Sequence, residues 1–178
     1  MRRHLFAHLL AVTAVMVASH VAAAQAAGVQ TVPFPAFGLG GGISIPMGGV
    51  AKDRLPGFNV VGLAEFRTPS EPLGIRAEAL YQYFGAKENA VGVEGSNNFA
   101  ALINVVYHAP QSQVRPYVIG GMGLYHIADH GNNAGLNGGV GVTIPLTGMG
   151  AYAEVRAHFA LTQGPSFVTI PITFGLTF

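Results

Sequence analysis

The sequence predicts an all-β fold, an eight-stranded antiparallel transmembrane β-barrel preceded by a cleaved signal peptide. Three observations carry that expectation. In the last stretch, Ser166 to Phe178, the residues Val168, Ile170, Ile172, Phe174, Leu176 and Phe178 fall on every second position, with Thr169, Pro171, Thr173, Gly175 and Thr177 between them. A period of two belongs to a strand with two unlike faces. The apolar face runs to the final residue, and after Phe167 the other face holds no large hydrophobe that could pack a second sheet. Lipid on one side and a narrow polar lumen on the other account for both. The second observation is composition. The 178 residues are 50% hydrophobic and only 10% charged, with mean hydropathy +0.41, whereas soluble domains carry roughly 25% charged residues. The third is recurrence: alternating segments of similar length follow one another between turn residues, and 25 Gly and 11 Pro argue against a helical bundle.

One barrel domain, residues 27–178, is expected after a leader at 1–26. The leader starts basic (Arg2, Arg3, His4), runs mostly apolar from Leu5 to Val21, and ends in small residues with an A-x-A match at Ala24-Gln25-Ala26. That order is the order of a secretory signal peptide. The whole-chain charge of +1 includes Arg2 and Arg3, and no Asp or Glu lies in the leader, so the mature chain is left near −1. Such a balance leaves no basic footprint for nucleic acid. With no cysteine, disulfides and thiolate metal sites are excluded, and the fold must rely on closure.

After a lead-in broken by Pro33 and Pro35, the first strand spans about Ala36 to Pro46. Phe37, Leu39, Gly41, Ile43 and Ile45 share one face, and Gly38, Gly40, Gly42 and Ser44 the other. Glycines on one face let backbone crowd close, as a narrow interior requires. A polar loop, Met47 to Pro56, leads to the second strand, Gly57 to Arg67. Here Phe58, Val60, Gly62, Ala64 and Phe66 face outward, and Asn59, Val61, Leu63, Glu65 and Arg67 inward. The third strand, Gly74 to Gly85, sends Ile75, Ala77, Ala79, Tyr81 and Tyr83 out and Arg76, Glu78 and Gln82 in. Ala86 to Asn97 is the longest loop. The fourth, Asn98 to Ala109, shows Phe99, Ala101, Ile103, Val105 and Tyr107 outward and Asn104 and His108 inward.

The fifth strand, Arg115 to Ile127, leaves its facing open, because Gly120-Gly121-Met122-Gly123 interrupts the alternation. A polar loop, Ala128 to Asn133, precedes the sixth strand, Ala134 to Pro145, which sets Leu136, Gly138, Val140, Val142 and Ile144 against Asn137, Gly139, Gly141 and Thr143. The seventh, Ala151 to Leu161, faces Ala153, Val155, Ala157 and Phe159 outward and Tyr152, Glu154, Arg156 and His158 inward. Eight such segments put both termini at one end, and the longer, more polar connections at the other. Aromatics group by height: Phe66, Tyr107, Tyr117 and Phe178 at an inner rim, and Phe58, Tyr83, Phe99, Tyr125 and Phe159 at an outer one. Rings prefer that interface because it offers both apolar contact and water.

Taken together, the A-Q-A leader end, the runs P-Y-V-I-G-G-M-G-L-Y and L-N-G-G-V-G-V-T-I-P-L, and the ending I-T-F-G-L-T-F resemble the small bacterial outer-membrane β-barrel family typified by OmpX and the membrane domain of OmpA. The resemblance covers nearly all of the mature chain. It implies an exported, monomeric protein of the outer membrane, with outer-membrane lipid and lipopolysaccharide around it and the barrel-assembly machinery as its partner during insertion. It implies no single activity, because the family shares a shape.

The inward charges are Glu65, Arg67, Arg76, Glu78, Glu154 and Arg156, with His158 beside them. An eight-stranded barrel is filled by side chains, so these charges must pair. Glu65 opposite Arg76 is the expected register, because the next one sets like charges together. A salt-bridge network filling the lumen is therefore preferred to an ion path. The segment His126-Ile127-Ala128-Asp129-His130-Gly131-Asn132-Asn133 suggests two other chemistries. His126, Asp129 and His130 could ligate a metal, although a hydrophilic loop explains them better. H-G-N-N-A-G resembles the H-x-S-N motif of PagL-type lipid A deacylases, but Asn132 stands at the serine position, and an amide cannot serve as nucleophile. Gly120-Gly121 and Gly138-Gly139 are not phosphate loops, since no helix start or Lys follows. No catalytic, cofactor or metal site is expected. The expected role is structural or surface interaction, the alternative is a narrow channel for small solutes, and a lipid A-modifying enzyme ranks below both.

Overall fold

The computed structural model describes residues 35–67, 71–88, 92, 94–109, 114–128, 130–162 and 167–178. The leader lies outside the described residues. Eight strands follow the alternation: β1 (Ala36–Met47), β2 (Gly57–Phe66), β3 (Leu73–Phe84), β4 (Ser96–His108), β5 (Arg115–Ile127), β6 (Gly131–Leu146), β7 (Met149–Ala160) and β8 (Phe167–Thr177). Each pairs antiparallel with its sequence neighbours, and β8 returns to β1, so the sheet closes in the order β1 to β8. Closure leaves no strand edge unpaired, as a hydrocarbon environment demands.

At the end where β1 begins and β8 finishes, the connections run from six residues (67–72) down to the two-residue turn Thr147-Gly148, where Gly148 has φ 75°. The opposite end carries the two longest, 48–56 and 85–95. There a one-turn helix, α1 (Val50–Asp53), lies between β1 and β2. The β1–β2 and β3–β4 connections are clamped together by an Arg54–Ala86 bridge, with Leu55 N–H donating to Gly85 O at 2.8 Å and Lys87 N–H to Asp53 O at 2.9 Å. The Lys87 ammonium also donates to Ala51 O at 2.6 Å.

Inward and outward positions match the alternation on β1 to β4 and β6 to β8. One expectation of facing is corrected: Tyr117 and Tyr125, assigned to aromatic rims, are buried in the lumen at 3% and 5% exposure. Phe178 ends the outward row in register with Phe37, their backbones exchanging two hydrogen bonds at 2.8 and 2.9 Å, although its own side chain is covered. Phe58, Phe66, Phe99, Tyr107 and Phe159 are exposed on the outside as expected. Strand β6 begins three residues early, at Gly131 with φ 65°, so Asn132 and Asn133 belong to the wall rather than to a loop.

The reason for the facing of β5 lies on its neighbours. A Cβ at Gly141 would stand 2.3 Å from Tyr117 Cζ, and one at Gly135 2.6 Å from Tyr125 Cε2. Tyr152 lies in the same way over Gly40 and Gly175. Each inward tyrosine therefore lies flat on glycine of a facing or adjacent strand, which fills the lumen without widening it. One irregularity interrupts the wall. β7 and β8 pair from Gly150 to Val155 and again from His158, but not at Arg156 and Ala157. On β8 the gap falls at Ile170 and Pro171, and proline has no N–H for the ladder.

Candidate functional site

The polar side chains that alternation sends inward converge in the lower and middle lumen. Glu65 and Arg76 are register partners on β2 and β3. Arg76 donates to Glu65 Oε2 from Nε at 2.9 Å and from Nη2 at 2.6 Å. Its Nη1 crosses to Glu154 Oε2 on β7 at 3.0 Å, and its guanidinium carbon lies 5.0 Å from the centre of the Tyr117 ring, a cation–π contact. Arg156 on β7 grips Glu78 on β3 end-on, Nη1 to Oε2 at 2.6 Å and Nη2 to Oε1 at 2.8 Å. It also donates from Nε to Glu154 Oε1 at 2.8 Å, and its Nη2 contacts the same oxygen. Such forked contacts are the strong form of the ion pair.

Neutral groups take up the remaining valences. Tyr117 donates to Glu154 Oε2 at 2.8 Å. Asn104 donates to Glu78 Oε2 at 3.0 Å and receives Asn137 at 2.8 Å. His108 Nε2 lies 2.7 Å from Glu65 Oε1. Every oxygen of Glu65, Glu78 and Glu154 thus has a partner, which answers the several kcal/mol cost per ion of burying charge. Arg67 differs from the other two arginines. Its Nε is 3.4 Å from Glu65 Oε1, and its side chain is 26% exposed, against 4% and 5% for Arg76 and Arg156. The expected six-charge network is therefore two fully enclosed arginines among three carboxylates, with Arg67 at the inner rim.

Above this network, toward the end carrying α1, an apolar cluster shares the lumen with further polar groups. Val61, Leu63, Leu80, Leu102 and Tyr125 belong to it with Phe84, Ile127, Ala160 and Phe167, and Val50 of α1 packs against it. Tyr152, which precedes Glu154 on β7 and lies to its inner side, is joined to the same cluster. Phe84 is completely buried and meets Phe167 edge-on, with ring centres 6.1 Å apart. His158 is buried in the lumen as expected, but it bonds the Tyr125 hydroxyl at 3.0 Å rather than a carboxylate. Asn59, Ser44, Gln82, Thr169 and Thr173 form a second polar set linked by side-chain hydrogen bonds.

Tyr117, Asn104 and Asn137 join the charges, although nothing in the alternation groups them together. The signal that could have found Tyr117 is the glycine at its facing position on β6, Gly141. The metal candidates are not brought together among the described residues. His126 is an outward, exposed residue near the end of β5 and is hydrogen-bonded to Asn132 at 2.8 Å. His130 lies in the turn, and Asp129 lies outside the described residues. No cluster of three potential ligands occurs among the described residues.

Residues 9–178 match the family described as outer membrane protein beta-barrel domain. No curated protein matches by sequence. Among solved structures the fold is similar to that of Neisserial surface protein A (NspA), with TM-score 0.63 and 15% identity over 80% of this chain and 94% of that one. It is also similar to the outer membrane enzyme PagL, with TM-score 0.56 and 15% identity over 79% of this chain and 97% of that one. At that identity the likeness is one of fold.

Proposed function

Because the chain belongs to the outer membrane protein β-barrel family, and so resides in the outer membrane, we propose that it is a closed barrel acting through its walls and outer loops: a structural or surface-interaction protein. In this reading it does not conduct, works as a monomer, and loses residues 1–26 on export. The observation that carries the proposal is the strut across the lumen. Arg76 on β3 is bonded to Glu154 on β7, and Arg156 on β7 to Glu78 on β3, while Phe84 and Phe167 fill the outer end. A lumen bridged by enclosed ion pairs and stoppered by rings has no continuous water path.

Planar-bilayer recording of the purified barrel tests this. No stepwise current is expected from protein that shows the heat-dependent gel shift of a folded barrel. Regular openings from such protein would overturn the proposal in favour of a narrow channel. The proposal also assigns no catalysis. The outward His126 is held by an amide, Asn132, which is no nucleophile. Lipopolysaccharide incubated with the folded protein should keep its lipid A mass, and loss of an acyl chain would sink this part of the reading.

A further inference from the structure

We propose that the outward face of β2 to β6 seats one acyl chain of an outer-leaflet lipopolysaccharide, with the lipid's phosphorylated sugar end against His126 and Asn132. The seat is a groove of about 570 Å³, within the ~300–1,000 Å³ typical of small-ligand sites. Its floor is formed by Gly62, Ala79 and Ala101, register partners on three successive strands. The adjoining row, toward the outer end, raises Tyr81 and Phe99 beside that floor, their ring centres 4.9 Å apart, and Leu124 closes the β5 flank. That row continues from Phe99 to His126 and from His126 to Asn132. An apolar trough therefore ends in a polar pair.

Three features select this occupant. The groove is continuous with the membrane-facing band, so its cover is hydrocarbon rather than water or a soluble partner. It lies toward the end with the longer connections, which in such barrels is the extracellular end, and the lipid of that leaflet is lipopolysaccharide. Its polar end offers hydrogen-bond donors. The His126 Nδ1–H donates to Asn132 Oδ1 at 2.8 Å, which leaves the Asn132 amide N–H groups without a partner among the described residues, suited to phosphate and ester oxygens.

The barrel's own packing does not require the low floor. A Cβ at Gly62 would meet nothing nearer than Leu39 Cδ2 at 3.7 Å, whereas one at the inward Gly139 would stand 2.2 Å from Val155 O. The inference rests on the outer-membrane location, and a conducting lumen would leave it untouched.

The test uses the full barrel purified from membranes, stripped of lipid, and offered either hexa-acylated lipid A or phosphatidylethanolamine. Bound lipid is counted by native mass spectrometry. One lipid A should be retained at concentrations where phosphatidylethanolamine is not. Gly62→Leu should weaken that retention about tenfold, the order expected for ejecting two or so methylene groups. Gly138→Leu should leave it unchanged, since it adds the same side chain outside the groove, with Ile119 O the nearest atom to its Cβ at 3.7 Å. His126→Ala should weaken lipid A retention as well. Equal retention of the two lipids, or equal behaviour of the two leucine variants, overturns the inference. Should Gly62→Leu fail to give a heat-modifiable barrel, Ala101→Leu fills the same floor and is read in the same way.

Discussion

Arg76 and Glu65 face each other across the β2–β3 ladder, joined by two guanidinium nitrogens, at 2.9 and 2.6 Å, on one carboxylate oxygen. Arg76→Ala would leave Glu65 Oε2 without a partner and remove one of the two arginines on Glu154. The expected loss is about 3–5 kcal/mol, the cost of leaving a buried charge without its partner. Urea unfolding of the barrel in detergent measures it. Adding Glu65→Gln should recover part of the loss, and an Arg76→Ala barrel as stable as the parent would show that the network carries no load.

Gly138 and Gly139 are adjacent in β6 and face opposite ways. Gly139→Ala forces a methyl group into the Val155 carbonyl and the Arg156 side chain, and should destabilise by about 1–3 kcal/mol. Gly138→Ala should change stability by no more than about 0.5 kcal/mol. The difference between their unfolding midpoints checks the assignment of inside and outside without reference to any function.

The two barriers in the lumen act in series. Phe84→Ala should cost about 3–5 kcal/mol, because the ring is completely buried against Phe167. It should not open a current in planar bilayers, since the Arg76–Glu154 and Arg156–Glu78 crossings lie below it. Channel activity in this variant alone would place the whole seal in the ring pair.

Arginine exposure offers a chemical check. Arg67 should react with phenylglyoxal in the folded barrel, while Arg76 and Arg156 should stay unmodified until it is unfolded, as their 26%, 4% and 5% exposures require. Peptide mapping before and after heating reads the order.

Much of this was legible because a strand's period is local. Ile75, Arg76, Ala77 and Glu78 declare their faces by themselves, and two opposite charges across a tight hairpin choose the Glu65–Arg76 register. What could not be read was set by other strands. Tyr117 and Tyr125 sit in a segment with glycine at both parities. Their burial follows from Gly141 and Gly135 across the β5–β6 ladder, where a side chain would collide with the rings. His158 went to Tyr125 rather than to an acid because Arg156, two residues away, occupies both nearby carboxylates.

The interruption opposite Pro171 gives the cylinder one soft seam. Amide exchange in the folded state should be faster at Arg156, whose N–H faces the interruption, than at Ala157, whose N–H faces the unbroken β6 ladder. Circumferential strain would concentrate there as well, beside the guanidinium that ties Glu78 to Glu154. Compliance and bracing thus meet at a single residue, so the hoop can breathe at that point while its bore keeps its shape.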